Sequence, residues 1–375
     1  MKADINTIVV EPGPKGVGLA DTILPMPLPP APMPERFGTT SLHWSWSCRR
    51  VNSSSRVRLE DPTSAPPPVP GDVAVVQVEA TDFHKHITTA ENRRLRLYPG
   101  AQFVGVFGNR YAAAAFEAEV DGIANLNMLT AAGMVGTVKS KHTQVADPTQ
   151  LSLVGFVRDE EGERLNLKQR FFRPAAERRL PKNLFFIVGS GMNSGKTTTA
   201  ARLIKSLCRM GLNVAACKLT GSVSNRDQDE LAAAAEHQVI DFSDFGFPST
   251  YLCEKDELME LFRTMIAELV PGDPDLVLVE LADGLLQRET SMLLAEPEIL
   301  QAGRGVILTA ACSLSALWGA NRLRHMGYNV VAVSGRFTSS PLEMREYSQN
   351  DSMIPAVSSA ETGTQLAECI RSRLA

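Results

Sequence analysis

At 375 residues, the chain is about two and a half times the ~150 residues of a typical domain, which predicts two domains. Its 44% hydrophobic and 21% charged residues exclude a disordered or fibrous chain. The 38 Lys plus Arg against 42 Asp plus Glu, net charge -4, exclude a global basic field that would draw it to nucleic acid or an anionic membrane.

The opening MKADINTIVVEPGPKG has only a brief apolar run around Ile8, too short for a signal-peptide core, and no window approaches ~18 apolar residues, so no bilayer span is expected. Six cysteines (Cys48, Cys208, Cys217, Cys253, Cys312, Cys369) form no C-x-x-C pair and fit a reducing cytoplasmic setting. Residues 1–70 read as a Pro-rich segment with brief strand character: Pro25 to Pro34 cannot hold a helix or central strand, and SAPPPVPGD, Ser64 to Asp72, breaks the chain again.

Residues 71–175 change character. VAVVQVE, AQFVGVFG, FEAEV, GMVGTVKS and LSLVGFV are short Val- and Phe-rich runs between Gly, Pro, Asp and Asn, which predicts a small β-rich domain, a barrel or a sandwich. Within it, the H-x-H spacing of His84 and His86 makes a weak metal pair that reads as an exposed strand end. Arg110, Tyr111, Glu117 and Glu119 read as a solvated face. The charged run Arg170 to Asn183 reads as a hinge, with the linker at 176–183.

From 184 to 375 apolar strands (LFFIV, NVAAC, LVLVE, GVILTA, NVVAV) alternate with helical stretches such as TTAARLIKSLCRM, DELMELFRTMIAEL and LSALWGANRLRHM. That is the βαβ rhythm of a parallel sheet covered on both faces. The predicted class is α/β: a C-terminal parallel-sheet phosphate-loop domain behind an N-terminal β-rich domain.

The strongest motif is GSGMNSGKTTT, Gly189 to Thr199, between the first of these strands and a helix. Glycines let backbone N–H groups curl around phosphate oxygens, and the helix N-terminus adds partial positive charge. The predicted cradle is Gly189, Ser190, Gly191, Met192, Asn193, Ser194, Gly195, Lys196, Thr197 and Thr198, with Lys196 reaching the β and γ phosphates and Thr197 offering its hydroxyl to Mg²⁺. The pattern G-x-x-x-x-G-K-[ST] is displaced by one place, since Ser190 holds the first Gly position. In this the loop resembles the GTDTxVGKT loop of dethiobiotin synthetases and related amidoligases of the SIMIBI class of P-loop proteins.

The resemblance extends to GLNVAACKLTGS, where Lys218 matches a second-strand lysine that serves phosphates and substrate, although Leu219 stands where those families carry Pro. Thr220 and Ser222 are further hydroxyl candidates. It also aligns Glu280 with an acid that contacts Mg²⁺, but Glu280-Leu281-Ala282-Asp283-Gly284 departs from VEG, so Asp283 is a second candidate. Asp227 is a third metal candidate, or a helix N-cap. Gln287 to Thr290 faces phosphate or forms ordinary helix surface. Ser243 to Leu252 is a substrate loop or a hydrophobic turn around Phe245 and Phe247, and Val333 to Glu343 is placed for nucleotide-base contacts.

The resemblance implies ATP and Mg²⁺, Lys196 and Lys218 as catalytic cations, a small carboxylate or phosphorylated substrate, and a homodimer; the expected chemistry is phosphoryl transfer or ligation. A looser resemblance of the loop and of ADGLLQRET to proteins related to D-glutamate N-acetyltransferases implies coenzyme A at the same loop. The rival expectation is a nucleotide switch acting on a protein partner, against which Met192 and Asn193 replace the signature lysine of partitioning ATPases and no N-K-x-D motif occurs.

Overall fold

The computed structural model describes residues 9–11, 42–51, 57–176, 180–235, 238–351, 353–358 and 364–374. The Pro25 to Pro34 stretch lies outside them.

The β-rich half is a barrel. Strand Val73–Ala80 pairs with Gln102–Phe107 on one side and Gln150–Arg158 on the other; Gln102–Phe107 pairs in parallel with Met134–Lys141; Leu126–Met128 pairs with both Met134–Lys141 and Gln150–Arg158 and closes the ring. Alternation along these strands decides what lies inside. Ala74, Val76 and Val78 join Phe103, Phe107 and Phe156 in the interior cluster. Val73 and Val75 face outward onto Trp44, Cys48, Leu59 and Leu167. Residues of the N-terminal segment thus complete the barrel: His43–Trp44 adds to Gln102–Phe107, and Arg58–Glu60 adds to Gln150–Arg158.

The C-terminal half is a six-stranded parallel sheet. Its elements are β1 (Leu184–Gly189), α1 (Lys196–Arg209), β2 (Val214–Lys218), α2 (Asn225–Ala232), β3 (Val239–Asp241), α3 (Lys255–Leu269), β4 (Leu276–Leu281), α4 (Arg288–Leu294), α5 (Pro297–Ala302), β5 (Gly303–Thr309), α6 (Ser313–His325), β6 (Val330–Ser334), α7 (Pro341–Asn350) and α8 (Gln365–Arg371). The strand order is β3-β2-β4-β1-β5-β6. Every residue of β1, β2, β4 and β6 is buried, as expected for strands covered on both faces. Phe185 and Ile187 face Leu203, Ile204 and Leu207 of α1 and Leu366 of α8; Leu184, Phe186 and Val188 face Leu258 and Phe262 of α3 and Leu323 of α6. Each such side chain contributes about 1.5–3 kcal/mol on burial. No helix among the described residues is long and apolar enough to cross a membrane.

The barrel docks on the C-terminal ends of this sheet. Asn92 Nδ2 donates to Asp229 Oδ2 (3.0 Å), and Asn225 Nδ2 donates to Asn92 Oδ1 (3.1 Å), pinning α2 to the barrel. Tyr251 Oη donates to Glu117 Oε1 (2.9 Å), and Phe172 meets Phe247 edge-on at 5.2 Å between centroids. Gly246 has φ +81°, and an added Cβ there would stand 2.1 Å from the Leu167 carbonyl oxygen, so only glycine allows this approach. The Ser243 to Leu252 segment is accordingly an interdomain turn that buries Phe247.

Candidate functional site

The phosphate-type loop leaves β1, the strand between β4 and β5, so loops from both neighbours converge on it. Binding at a sheet's carboxyl edge, where neighbouring crossovers diverge, is the general habit of doubly wound folds. The loop enters with Ser190 N donating to Thr309 O (2.8 Å) and leaves with Thr199 N donating to Gly195 O (2.9 Å). Between them Met192 and Asn193 form a turn, and among the described residues the amides of Gly191, Met192, Asn193 and Gly195 have no hydrogen-bond acceptor. Free backbone donors gathered at a helix N-terminus, where the helix adds partial positive charge, form a cradle for an anion. Positive φ at Asn193 (61°) and Gly195 (103°) curls the chain.

Two glycines outside the motif hold the loop in place. An added Cβ at Gly284, after β4, would stand 2.5 Å from Gly191 Cα; one at Gly335, after β6, would stand 2.4 Å from Ser194 O. Both sites are backbone-on-backbone contacts that tolerate no side chain. Ser194 Oγ and Thr309 Oγ1 share a buried 2.8 Å hydrogen bond beneath the loop.

Lys196 is 6% exposed and donates to Gly191 O (3.1 Å) and to Asp283 O. Burial pushes its pKa down, with Glu280 and Asp283 opposing. Thr197 Oγ1 donates to Glu280 Oε1 (3.0 Å). Glu280 lies in register with Lys218 on β2 and Ile187 on β1, which brings the two lysines and the acid to one end of the sheet. Burial raises the Glu280 pKa, against the pull of Lys218 and Lys196. Lys218 is ion-paired with Asp227; burial disfavours its ammonium, but Asp227, Glu280 and Asp241 outweigh that and its pKa is raised. Asp283 also has a raised pKa from burial, opposed by Lys196, Lys218 and Arg110.

Of the three acids considered for a cation, Glu280 fits best: Oε2 is buried without a hydrogen-bond partner, and Thr197 Oγ1 is bonded to its other oxygen. Two hard oxygen donors suit Mg²⁺, which binds proteins through one or two carboxylates and completes its shell with water and phosphate oxygens. No group of three or more His, Cys, Asp or Glu able to hold a metal occurs among the described residues. Asp227 sits in the first turn of α2 bound to Lys218; the N-cap position belongs to Ser224.

The remaining candidates separate. Thr220 Oγ1 accepts from Ala282 N (2.8 Å) and donates to Ala282 O (2.6 Å), and Thr290 Oγ1 donates to the same carbonyl (2.9 Å), so these hydroxyls fix the turn ahead of Asp283. Arg288 donates to Cys253 O and Glu289 away from the loop. Ser222 lines the cleft in front of the loop, as does Arg336, whose N–H donates to Ser194 O (3.0 Å).

That cleft, of about 570 Å³, has the loop, β2 and β4 as one wall and the barrel as the other, the latter built from His84, Arg110, Tyr111, Ala112 and Thr130 to Ala132. Here the structure corrects the sequence reading. Arg110 is 9% exposed instead of solvated, Tyr111 packs on Tyr251 with centroids 5.6 Å apart, and Glu117 accepts the Tyr251 hydroxyl. His84 and His86 do not share a face: His84 bonds Leu129 O (2.9 Å) in the cleft wall, while His86 meets Arg94. Met192, at the loop tip, packs on Ala112, Ala115 and Phe116 of the barrel. These barrel residues carry no motif; their exposure was decided by the docking.

No family model matches the chain, and no curated protein matches it. Among solved structures it is similar to the signal recognition particle receptor FtsY from Elizabethkingia anophelis, at 16% identity over 56% of this chain and 70% of that chain, TM-score 0.33. It is also similar to a ParA family ATPase from Chlorobium tepidum TLS (10% identity, 52% and 99%, TM-score 0.32). The kinase domain of Escherichia coli tyrosine kinase ETK matches at 17% identity over 40% and 66%, TM-score 0.31.

Proposed function

We propose that the chain binds ATP with Mg²⁺ at the Gly189 to Thr198 loop and carries out phosphoryl transfer or ligation on a small carboxylate or phosphorylated metabolite held in the cleft. The observation that carries this reading is the set of unpaired loop amides ahead of Lys196, with the Thr197–Glu280 pair beside it and Lys218 on the next strand. In this mechanism the loop amides hold the phosphate oxygens, and Lys196 exchanges the Gly191 and Asp283 carbonyls for β and γ phosphate oxygens. Lys218 leaves Asp227 to neutralise charge developing on the transferred group, and because Lys196 and Lys218 are themselves buried such charges act strongly. Thr197 and Glu280 would hold Mg²⁺, which supplies charge neutralisation between phosphates. A carboxylate acceptor is already ionised at neutral pH and needs no general base.

ATP turnover screened against a library of metabolite acids, with Lys196→Ala as control, tests this. Turnover should depend on an added acid and fall by at least about 10²-fold in the variant; ATP use that survives Lys196→Ala defeats the assignment. Protection in thermal melts by acetyl coenzyme A but not ATP would instead support acyl transfer.

A nucleotide switch is the second reading, and one observation favours it. Helix α2 carries Asp227 on Lys218 at the site and Asp229 on Asn92 of the barrel, so a phosphate that takes Lys218 from Asp227 changes what holds α2. Slow hydrolysis that no acid accelerates would select it.

A further inference from the structure

The reaction proposed above needs a place for the acceptor as well as for the nucleotide. Resting on that reading, we propose that Arg110 of the barrel is the acceptor's anion clamp, its guanidinium holding a carboxylate or phosphate group across the cleft from Lys196.

Arg110 stands on the two-residue strand Arg110–Tyr111, opposite Ala118 of Phe116–Glu119. Its Nη1 donates to Leu129 O, and its guanidinium carbon lies 5.6 Å from the Phe116 ring centroid. Nε is buried with no partner, and among the described residues Arg110 forms no salt bridge. A guanidinium carries five N–H donors in a planar fork, and burying a charge is costly unless it is paired. Burial pushes the Arg110 pKa down to about 10, still fully charged at neutral pH, with Asp283 opposing the shift. An arginine brought to 9% exposure in a cleft wall, with a donor left over, has no carboxylate among the described residues in salt-bridge contact, Asp283 acting on it only from beyond that distance.

Its surroundings indicate what counter-ion it takes. His84 shares the Leu129 carbonyl and is held neutral: burial and then Arg110 push its pKa down to about 4. His84 therefore braces Arg110 without adding charge. Across the cleft Glu280 is engaged by Thr197, Asp227 by Lys218 and Glu230 by Thr198 (2.9 Å), while Asp283, whose charge acts on Arg110, forms no salt bridge with it. The fork of Arg110 matches a pair of anionic oxygens, as in a carboxylate or a phosphate. A neutral acceptor would leave it unpaired, so the acceptor is anionic at the end that faces the barrel.

The test uses the full chain saturated with AMP-PNP and Mg²⁺, titrated in parallel with inorganic phosphate and with succinate while the melting temperature is followed. We expect a saturable rise with at least one anion. Arg110→Gln should need at least about tenfold more of it, with AMP-PNP affinity unchanged. A response to phosphate alone supports the clamp for a phosphorylated acceptor, a response to succinate alone for a carboxylate. No response of the wild type to either anion, or an undiminished response of Arg110→Gln, overturns the clamp. Weaker binding of AMP-PNP relative to ADP in Arg110→Gln also overturns it, because Arg110 would then serve the γ-phosphate. Failure of the wild type to bind AMP-PNP at all is a separate outcome, which removes the nucleotide reading and the clamp with it. Should Arg110→Gln fail to fold for want of the Leu129 bond, Arg110→Lys keeps the charge and loses the fork; a wild-type response in that variant overturns the clamp.

Discussion

Gly284 lies outside the phosphate-loop motif, yet alanine there should damage nucleotide binding as well as stability. Its added Cβ would stand 2.5 Å from Gly191 Cα, 2.8 Å from Gly191 N and 3.0 Å from the carbonyl carbon of Ser190. Ordinary carbon–carbon contact is at roughly 3.5–4.0 Å, so one backbone must retreat by about 1 Å. Overpacking of this kind costs about 1–3 kcal/mol. At about 2–4 °C per kcal/mol for a domain of roughly this size, the melting temperature should fall by several degrees. The loop amides, however, must match phosphate oxygens, and about 1 Å of misplacement costs on the order of 10²-fold in such a site. Titration with a fluorescent ATP analogue, alongside thermal melts, separates the two effects. Gly272→Ala is the control: nothing lies within 4 Å of its added Cβ, so it should bind nucleotide normally and melt within about 0.5 kcal/mol of wild type. Wild-type nucleotide affinity in a folded Gly284→Ala protein would refute the claim that this backbone contact shapes the cradle.

Glu280→Gln keeps an acceptor for the Thr197 hydroxyl but removes the carboxylate charge, so the Mg²⁺ concentration for half-maximal ATP turnover should rise by at least about tenfold; an unchanged Mg²⁺ titration would remove Glu280 from the cation site. Acid stability tests the buried histidine. The His84 pKa is held near 4 in the folded chain against 6.5 for the free group, so the unfolded state binds the extra proton between those values. Stability is therefore lost as pH falls from about 6.5 to 4, at up to about 1.4 kcal/mol per pH unit. Asp241, raised by burial to about 6, acts in the opposite sense by losing stability as pH rises through that range, so the informative quantity is the wild-type minus His84→Gln difference. That difference in unfolding free energy should become more negative below pH 6.5 and level off near 4; a flat difference would show that His84 is not held neutral.

Much of the C-terminal half was readable from residue order. Apolar runs without polar alternation mark strands buried on both faces, and the Gly-rich stretch between LFFIV and TTTAARL requires a strand-loop-helix turn whatever surrounds it. Lys218 and Glu280 could be placed at strand ends because each closes an apolar run. These are local signals, written within a few residues of the groups they describe.

What tertiary structure alone decided are the contacts between segments far apart in the chain. Alternation in the β-rich half allowed a barrel or a sandwich; the choice was made by Leu126–Met128, a three-residue strand that pairs on both sides and closes the ring. Pairing of Asp227 with Lys218 leaves Glu280 as the candidate acid with a buried unpartnered oxygen, and no spacing rule distinguishes those roles. Gly284 and Gly335 matter because β4 and β6 end beside the loop, a consequence of strand order. Arg110 and His84 read as surface because their neighbours in sequence are polar or small. They line the cleft because docking of the barrel onto the sheet removes them from water, and burial by a distant segment leaves no periodicity in the sequence that is buried.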